Sequence, residues 1–233
     1  MKLPATFYFF LFTATLAAQD SSSILSKDFI LGKFDYRKHK DFVKVDSAFC
    51  NKEIYLQKAV YESYQKMHKS ALKSGIRLTL ISGTRNFYEQ KWIWDKKWST
   101  YKNLKPRERA VKILEYSSMP TTSRHHWGTD LDLVSLNNKF FETSYGKKVY
   151  SWLQSHAHKH GFYLVYTNKG DGREGYNEEK WHWTYVPLSK RYLKYYNQNI
   201  VSKDIKGFKG DELVSKLDII KKYVNGISKE LKK

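Results

Sequence analysis

The spacing of apolar residues along this chain changes from segment to segment and predicts a mixture of helices and strands. Residues 52–74 repeat apolar side chains at helical spacing, which is typical of an amphipathic helix, and Gly75 follows as a stop signal. Residues 76–82 alternate apolar and polar side chains, as a half-buried strand does. A helix followed directly by a strand is therefore expected in the first half of the chain.

The later segments continue this irregular alternation. Residues 85–116 are rich in aromatic and basic side chains and predict one or two helices, and residues 146–161 predict another helix that ends at a glycine. Short strand patterns occupy residues 130–134, 162–166 and 181–186. Strands of this length interspersed with helices predict an α+β fold, in which helices flank a small antiparallel sheet.

The two ends of the chain differ from this middle part. Residues 19–40 are polar and are expected to be extended. Residues 200–233 are rich in lysine and carry a weak helical pattern, so they predict a C-terminal helical appendage. Residues 19–199 are accordingly expected to form one domain, to which residues 200–233 are attached as a tail.

The N-terminus has the layout of a secretory signal peptide, which we assign to residues 1–18. Lys2 precedes an apolar run from Leu3 to Ala18, and small residues near Ala17 are followed by a polar segment. The run has 16 residues, fewer than the roughly 20 that a membrane-spanning helix needs. No cysteine follows the run for lipid attachment. The protein is therefore expected to be exported to the periplasm or the extracellular space without a lipid anchor.

The composition indicates a globular protein with a strongly basic surface. Hydrophobic residues make up 41% of the 233 residues and aromatic residues 16%, which supplies a core and excludes a largely disordered chain. The formal net charge of +19 either indicates anionic partners, such as polymers of a cell envelope, or only keeps the protein soluble. Nucleic acid is not expected as a partner of an exported chain. Cys50 is the only cysteine, so the chain forms no internal disulfide.

Histidines and acids cluster in the stretch SRHHWGTDLDL. His125 and Asp132 are separated by six residues that include Gly128, and a turn at this glycine would let an imidazole and a strand-borne carboxylate converge. A catalytic zinc site takes three protein ligands and keeps one position open for water. His182, in another predicted strand, would be the third ligand, and Glu179 would be near enough to act on the water as a base.

Other interpretations of the histidines remain open on spacing alone. His156 and His160 lie four positions apart on one face of a predicted helix, which is a metal-binding geometry, but neither a glutamate nor a third ligand accompanies them. Histidines near the C-terminal end of a helix also interact favourably with its dipole without any metal. Because single histidines are more often structural residues than ligands, spacing by itself leaves the zinc site as a hypothesis.

Three motifs together resemble those of the VanY-like D-alanyl-D-alanine carboxypeptidases. SRHHWGTDLDL resembles the S-x-H-x-x-G-x-x-x-D motif of that family, EKWHW resembles its E-x-W-H motif, and SGTRNFYEQ resembles its S-G-x-R-x-x-x-x-Q segment. The motifs occur in the family's order and lie between about residues 50 and 190. The resemblance implies a fold of the LAS or hedgehog-like type, in which a small antiparallel sheet carries a zinc ion (Zn²⁺) between flanking helices.

The resemblance also implies a role for each matching residue. Three positions match the zinc ligands: His125, Asp132 and His182. Glu179 matches the catalytic base. Arg85 matches an arginine that binds the substrate and acts in catalysis, since a guanidinium offers directed donors to a developing oxyanion. Two neutral residues match those that hold the terminal D-amino acid and its carboxylate: Gln90 and Ser123.

Two positions depart from the usual pattern of that family. The residue after the first zinc-binding histidine is usually glutamine and is His126 here. The position two before the ligand aspartate usually holds a small residue and is Asp130 here. In an extended strand Asp130 and Asp132 point to the same side, so Asp130 is either a rival ligand or a partner that orients a ligand from behind. Asp132 remains the predicted ligand.

The resemblance implies a zinc-dependent D,D-carboxypeptidase that hydrolyses the terminal D-Ala-D-Ala bond of peptidoglycan stem peptides. The same zinc centre would also serve an L,D-carboxypeptidase or an endopeptidase. A rival of another class is a basic envelope-binding protein without catalysis, which the charge favours but the complete set of ligands and base opposes. The protein is expected to be a monomer, with stem peptides and anionic envelope polymers as its partners.

Overall fold

The computed structural model describes residues 25–232, apart from the side chain of Asp171. The signal peptide predicted for residues 1–18 lies outside the described residues and stays a prediction. Within the described range, no helix combines the length and the apolar character that crossing a membrane requires.

Six α-helices are present among residues 25–232. They are α1 (Lys27–Ile30), α2 (Lys58–Leu72), α3 (Phe87–Thr100), α4 (Pro106–Ile113), α5 (Ser144–His156) and α6 (Val186–Asn199). Helix α3 begins with a reciprocal cap: Asn86 Oδ1 accepts from the backbone N–H of Glu89 at 2.9 Å, and Glu89 Oε2 accepts from that of Asn86 at 2.8 Å. The helices predicted for residues 85–116 are confirmed as α3 and α4.

The strands form two antiparallel sheets. The smaller sheet pairs β1 (Phe42–Lys44) with β2 (Tyr55–Gln57). The larger sheet has the order β3-β4-β6-β5 and consists of β3 (Leu80–Ser82), β4 (Asp130–Leu133), β5 (Phe162–Leu164) and β6 (His182–Tyr185). All neighbouring strands in it are antiparallel. The predicted α+β fold, with a small antiparallel sheet flanked by helices, is confirmed.

The larger sheet has one apolar face and one polar face, and the side chains of β6 alternate between them. Trp181 and Trp183 are buried in an apolar cluster that also contains side chains of α2 and α5, so the prediction that they face the core is confirmed. His182 and Thr184 alternate with them and are buried as well. Because successive side chains of a strand point to opposite faces, His182 lies on the face away from this cluster.

Two element boundaries differ from the prediction. The helix expected over residues 52–74 begins only at Lys58, because the preceding residues form β2 and hydrogen-bond to β1. The strand expected over residues 76–82 is regular only in its last three residues, which form β3. Ile76 and Leu78 are nevertheless buried, as the alternation of apolar and polar residues required.

The expectation that residues 19–40 are extended is wrong for the part that the structure describes. Helix α1 lies there, and Phe29 and Ile30 are buried in the larger apolar cluster. Gly32 follows α1 with a φ of +73°, and its carbonyl accepts a hydrogen bond from the N–H of Phe87 at 2.7 Å. The N-terminal segment is therefore packed against the start of α3.

The lysine-rich segment from residue 200 to residue 232 is helical only in short turns. These are 3₁₀ turns and one π-helical turn, Ile220–Val224. Phe208 and other apolar side chains of the segment are buried in the same cluster as those of α1 and α3. The indole N–H of Trp94 donates to the carbonyl of Lys209 at 2.8 Å. The C-terminal segment thus shares a core with the rest of the chain, and the division at residue 200 stays a prediction.

The tryptophans of α3 divide between core and surface. Spacing predicted that Trp92, Trp94 and Trp98 all pack inside. Trp94 and Trp98 are buried, but Trp92 is 65% exposed, so the prediction is wrong for this residue. With 3.6 residues per turn, positions four apart share a face of the helix, whereas positions two apart do not. Lys96 covers part of the Trp92 ring, with its Nζ 5.1 Å from the ring centroid.

Candidate metal site

A cavity of about 610 Å³ opens between the polar face of the larger sheet and helix α3. Six of the seven predicted site residues line it: Arg85, Gln90, His125, Asp132, Glu179 and His182. These residues come from two strands, one helix and three connecting segments. The fold therefore brings together residues that are far apart in the sequence.

His125 is held in place by the loop that precedes α3. It lies in a short 3₁₀ turn that ends at Gly128, whose φ of +67° confirms the predicted glycine turn. Its Nδ1 donates to the carbonyl of Gly83 at 2.7 Å, and its own carbonyl accepts from the N–H of Arg85 at 3.1 Å. The remaining ring nitrogen, Nε2, points to Asp132 and lies 3.4 Å from its Oδ2.

Asp132 and His182 meet because β4 and β6 are neighbours in the sheet and these residues are direct partners in the register. The Nδ1 of His182 lies 3.5 Å from Oδ1 of Asp132. One ligand atom from each of His125, Asp132 and His182 lies within 4.8 Å of the other two, and all three residues are buried. Three ligand atoms at these distances can surround a single metal ion.

The chemistry of this cluster fits a divalent cation. Oδ1 of Asp132 is buried and has no hydrogen-bond partner among the described residues. Burial opposes a charge on Asp132, but His125, His182 and Arg85 lower the pKa of its carboxyl to about 2. Burial lowers the pKa of His125, which favours the neutral imidazole that binds metals. Two imidazoles and one carboxylate form a donor set typical of zinc.

Glu179 lies beside the three candidate ligands, on the turn that leads into β6. Its Oε2 is 3.1 Å from Nδ1 of His182, and its backbone N–H donates to the carbonyl of Tyr166 at 3.0 Å. Burial raises the pKa of the Glu179 carboxyl above its ordinary value. A buried carboxylate of this kind next to a metal site is suited to take up a proton and return it.

Arg85 reaches the edge of the ligand cluster. Its Nη1 lies 3.8 Å from Oδ2 of Asp132, and its Nε donates to Oε1 of Gln90 at 3.1 Å. Burial lowers the pKa of Arg85, while Asp132 and Glu179 oppose this effect. The guanidinium therefore remains a cation that faces the cavity. Gln90 is fixed from its other side, since its Nε2 donates to the carbonyl of Ser118 at 2.8 Å.

Ser123 is buried next to the turn that carries His125, outside the cavity wall formed by the other predicted residues. Its Oγ is buried and has no hydrogen-bond partner among the described residues. The hydroxyl is therefore uncommitted, in contrast to the side-chain amide of Gln90. The substrate-binding roles of Ser123 and Gln90 stay predictions.

Asp130 lies behind His182 rather than beside the other candidate ligands. Its Oδ2 accepts from Nε2 of His182 at 2.9 Å and from Nε of Arg124 at 2.8 Å. Its Oδ1 accepts from the hydroxyls of Thr129 at 2.8 Å and Thr184 at 2.6 Å. Both oxygens are thus occupied by hydrogen bonds. Of the two roles left open for Asp130, the structure shows the orienting one, because the bond to Nε2 turns Nδ1 of His182 toward the cavity.

Arg124 is the ion-pair partner of Asp130, and it was not predicted from the sequence. Its guanidinium forms a buried ion pair with Asp130, donates to the hydroxyl of Thr184 at 2.9 Å and lies 4.8 Å from the ring centroid of Trp127. The presence of Asp130 in a predicted strand could have indicated that a positively charged partner lies nearby. A buried carboxylate is costly unless it is paired, and Arg124 is the arginine of the same motif.

His126 supports the loop of Arg85 from behind. Its Nδ1 donates to the carbonyl of Arg85 at 2.7 Å, and its Nε2 accepts from the N–H of Thr121 at 3.1 Å. The ring is fully buried, and this burial lowers the pKa of His126 to about 3, so the imidazole is neutral. The first departure from the family pattern is therefore a structural residue that ties the turn of His125 to the loop of Arg85.

Replacement of Gly32 by alanine is expected to destabilise the protein by about 3 kcal/mol. Alanine disfavours the positive φ of Gly32, and its Cβ would collide with the buried ring of His126. Gly172→Ala is a matched control, because Gly172 also has a positive φ (+84°) but nothing lies within 4 Å of its added Cβ. The difference in stability between the two variants, measured by thermal unfolding, gives the cost of the collision with His126. Equal losses in the two variants would contradict the predicted role of His126.

In the alternative pair, His156 of α5 and His160 of the turn after it, the ring of His156 is engaged by other contacts. His156 stacks on Trp152 with ring centroids 4.8 Å apart, and its Nδ1 donates to the carbonyl of Trp152 at 3.0 Å. Within residues 25–232, the group of acids, histidines and cysteines close enough to hold a metal is the one formed by His125, Asp132 and His182. The zinc hypothesis therefore concerns this cluster.

An α+β fold with a His-Asp-His cluster beside an antiparallel sheet, and an acid next to it in a cavity, has the parts that a metal-dependent hydrolase requires. Comparison with known families makes this specific. The family model of VanY, D-alanyl-D-alanine carboxypeptidase, matches residues 53–188, which is more than half of the chain. The chain belongs to this family.

Among curated proteins, the chain is similar to YodJ of Bacillus subtilis (strain 168), whose name describes a carboxypeptidase. The two are 32% identical over 138 residues, which cover 57% of this chain and 46% of YodJ. The chain matches 44% to 50% of the length of its curated relatives. It therefore spans about half the length of these proteins.

Solved structures share the fold at low sequence identity. A mutant of the vancomycin-resistance D,D-pentapeptidase VanY, crystallised with Zn(II), has a TM-score of 0.53 and 19% identity, covering 74% of this chain and 93% of that chain. The LD-carboxypeptidase LdcB has a TM-score of 0.51 and 22% identity, covering 82% of this chain and 81% of that chain. The fold of this chain is therefore that of VanY-type carboxypeptidases.

Proposed function

We propose that this protein is a zinc-dependent D,D-carboxypeptidase that removes the terminal D-alanine from peptidoglycan stem peptides. The observation that carries the proposal is the meeting of His125, Asp132 and His182 in one cavity with Glu179 beside them. Membership of the D-alanyl-D-alanine carboxypeptidase family supports the substrate class. The predicted signal peptide would deliver the enzyme to the compartment that contains peptidoglycan.

Zinc would be held by Nε2 of His125, a carboxylate oxygen of Asp132 and Nδ1 of His182, the atoms that face one another in the cavity. When bound, zinc supplies a Lewis acid that polarises a carbonyl and lowers the pKa of water. The hydrogen bonds to Gly83 and Asp130 fix the other nitrogen of each imidazole and thereby its orientation. The ligands are thus preorganised by the protein.

The remaining chemistry belongs to residues of the chain. Glu179 takes a proton from the attacking water as the water oxygen bonds to the carbonyl carbon of the last peptide bond. Arg85 donates to the carbonyl oxygen as negative charge develops there. The carbon–nitrogen bond then breaks, and Glu179 passes the proton to the leaving amine. Free D-alanine departs, and the carboxylate of Glu179 is restored.

Mass analysis of a stem pentapeptide incubated with the purified protein tests the proposed function. The expected result is loss of one D-alanine, which stops when a zinc chelator is added and resumes when zinc is restored. The chelator should stop the reaction because it removes the zinc that would act as the Lewis acid. An intact pentapeptide with zinc-loaded protein would contradict the proposal and favour a non-catalytic envelope-binding protein.

The same assay distinguishes the neighbouring activities. A stem tetrapeptide, which ends in an L,D bond, is expected to remain intact, whereas its cleavage in place of the pentapeptide would show an L,D-carboxypeptidase. The fold similarity to LdcB makes this comparison necessary. Fragments that arise from internal bonds would show an endopeptidase. The masses of the products identify each case without further assumptions.

A further inference from the structure

Two lysines line the cavity, the exposed Lys139 and the half-buried Lys97, and Lys97 has no role in the chemistry described above. Lys97 lies on α3, seven residues after Gln90, and lines the same cavity. It is half-buried, and its Nζ donates to Oγ of Ser117 at 2.5 Å. Among the described residues no carboxylate forms an ion pair with it within 4.0 Å. A partly desolvated ammonium without an acidic partner is costly unless an anion binds to it.

The other lysines of α3 near this position have partners on the surface. Lys91 forms an ion pair with Asp95 one turn further along the helix. Lys96 is exposed and lies over the ring of Trp92. Lys97 alone among these three faces the cavity. Its placement is therefore a property of this position rather than of the basic composition of the helix.

Lys97, Gln90 and Arg85 each donate a hydrogen bond along one wall of the cavity. Nε of Arg85 donates to Gln90, Gln90 donates to the carbonyl of Ser118, and Lys97 donates to the hydroxyl of the adjacent Ser117. Side chains on a helix lean toward its N-terminus, which here is the end nearer to Arg85. The ammonium of Lys97 and the amide of Gln90 therefore reach neighbouring residues of one cavity wall.

We propose that Lys97 binds the free carboxylate at the C-terminus of the substrate and so restricts cleavage to the last peptide bond. This inference rests on the proposed function, because it assigns a substrate group to the same cavity. Of the two lysines that line the cavity, Lys139 is exposed, whereas Lys97 is half-buried on the same helix as Gln90. Arg85 is assigned to the carbonyl oxygen, and Gln90 and Ser123 are neutral, so none of these three supplies a charge for this carboxylate. Lys97 supplies it through a charge-assisted hydrogen bond.

The nearby charges are compatible with this role. Burial lowers the pKa of Lys97, Arg85 lowers it further, and Glu179 raises it. A bound carboxylate would add a second negative charge beside the ammonium and favour its protonated form. Lys97 is therefore suited to an anionic group that enters and leaves with each turnover.

The test compares N-acetyl-D-alanyl-D-alanine with its C-terminal amide, which has the same shape but no carboxylate. In wild-type protein the free acid is expected to have the lower KM. In Lys97→Met, KM for the free acid is expected to rise roughly tenfold to a hundredfold with little change in kcat, and the preference for the acid over the amide should disappear. Lys97→Arg should retain most of the preference.

Lys96→Met is the matched control, since Lys96 is the neighbouring lysine on α3 and faces solvent. Calorimetric binding of the same two dipeptides tests the inference even if the wild type fails to cleave them, which would be a failure of the proposed function alone. The inference is overturned if Lys97→Met keeps the wild-type preference for the free acid in binding. It is also overturned if Lys97→Met weakens acid and amide equally, because that result would indicate a structural role.

Discussion

A Glu179→Gln variant is expected to keep its fold and its metal but to release D-alanine about 10²- to 10⁴-fold more slowly than the wild type. Glutamine has the shape of glutamate but cannot take a proton from water or return it to the leaving amine. Glu179 is not one of the three residues whose ligand atoms surround the metal position. Release of D-alanine and metal content by mass spectrometry are the two measurements.

Glu178→Gln is the matched control for this variant. Glu178 is the preceding residue and carries the same carboxylate, but it does not line the cavity. It is expected to turn over at close to the wild-type rate. Wild-type turnover in Glu179→Gln would remove Glu179 from the mechanism. Loss of zinc together with loss of activity would instead show that Glu179 serves as a ligand.

An Asp130→Ala variant is expected to lose about 3–5 kcal/mol of unfolding free energy, because the buried charge of Arg124 is left without its partner. Zinc affinity should also fall, by about 10- to 100-fold, because Nε2 of His182 loses the carboxylate that orients the ring. Thermal unfolding of the chelated protein measures the first effect, and competition with a zinc indicator measures the second.

A double variant separates these two effects. Asp130→Ala with Arg124→Met removes both charges and is expected to recover much of the stability, while zinc affinity stays low because the acceptor of His182 is still missing. Glu53→Ala is the surface control, since this exposed carboxylate pairs only with the exposed side chains of Lys44 and Arg37 and its loss should leave the stability nearly unchanged. Wild-type zinc affinity in the double variant would show that Asp130 does not orient His182.

The candidate ligands were predictable because each belongs to a short motif with its own local geometry. Gly128 supplies the turn after His125, and the alternation of β4 and β6 puts Asp132 and His182 on one face of the sheet. Such features follow from the alternation of side chains along a strand and from the ability of glycine to adopt a positive φ. The structure shows that these motifs meet at one cavity.

Two predictions made from the sequence were wrong for different reasons. Helix α2 begins later than its periodicity suggested because β1, several residues earlier in the chain, pairs with its expected first turn as β2. Trp92 remains exposed because α3 turns only one face to the core. The start of α2 depends on pairing with another segment, about which the periodicity of residues 52–74 carries no information. The exposure of Trp92 follows from the helical period itself, because Trp92 lies on another face of α3 than Trp94 and Trp98.

The sequence alone predicted the strands of the larger sheet, the residues of the candidate metal site and the resemblance to a family. It left Asp130 and His126 undecided, because a buried acid or imidazole takes its role from whatever surrounds it. Only the tertiary structure placed Arg124, Thr184 and His182 around Asp130, and the carbonyl of Arg85 against His126. The physical reason is that burial makes an unpaired charge or donor costly, so contacts between distant segments decide which pairings form.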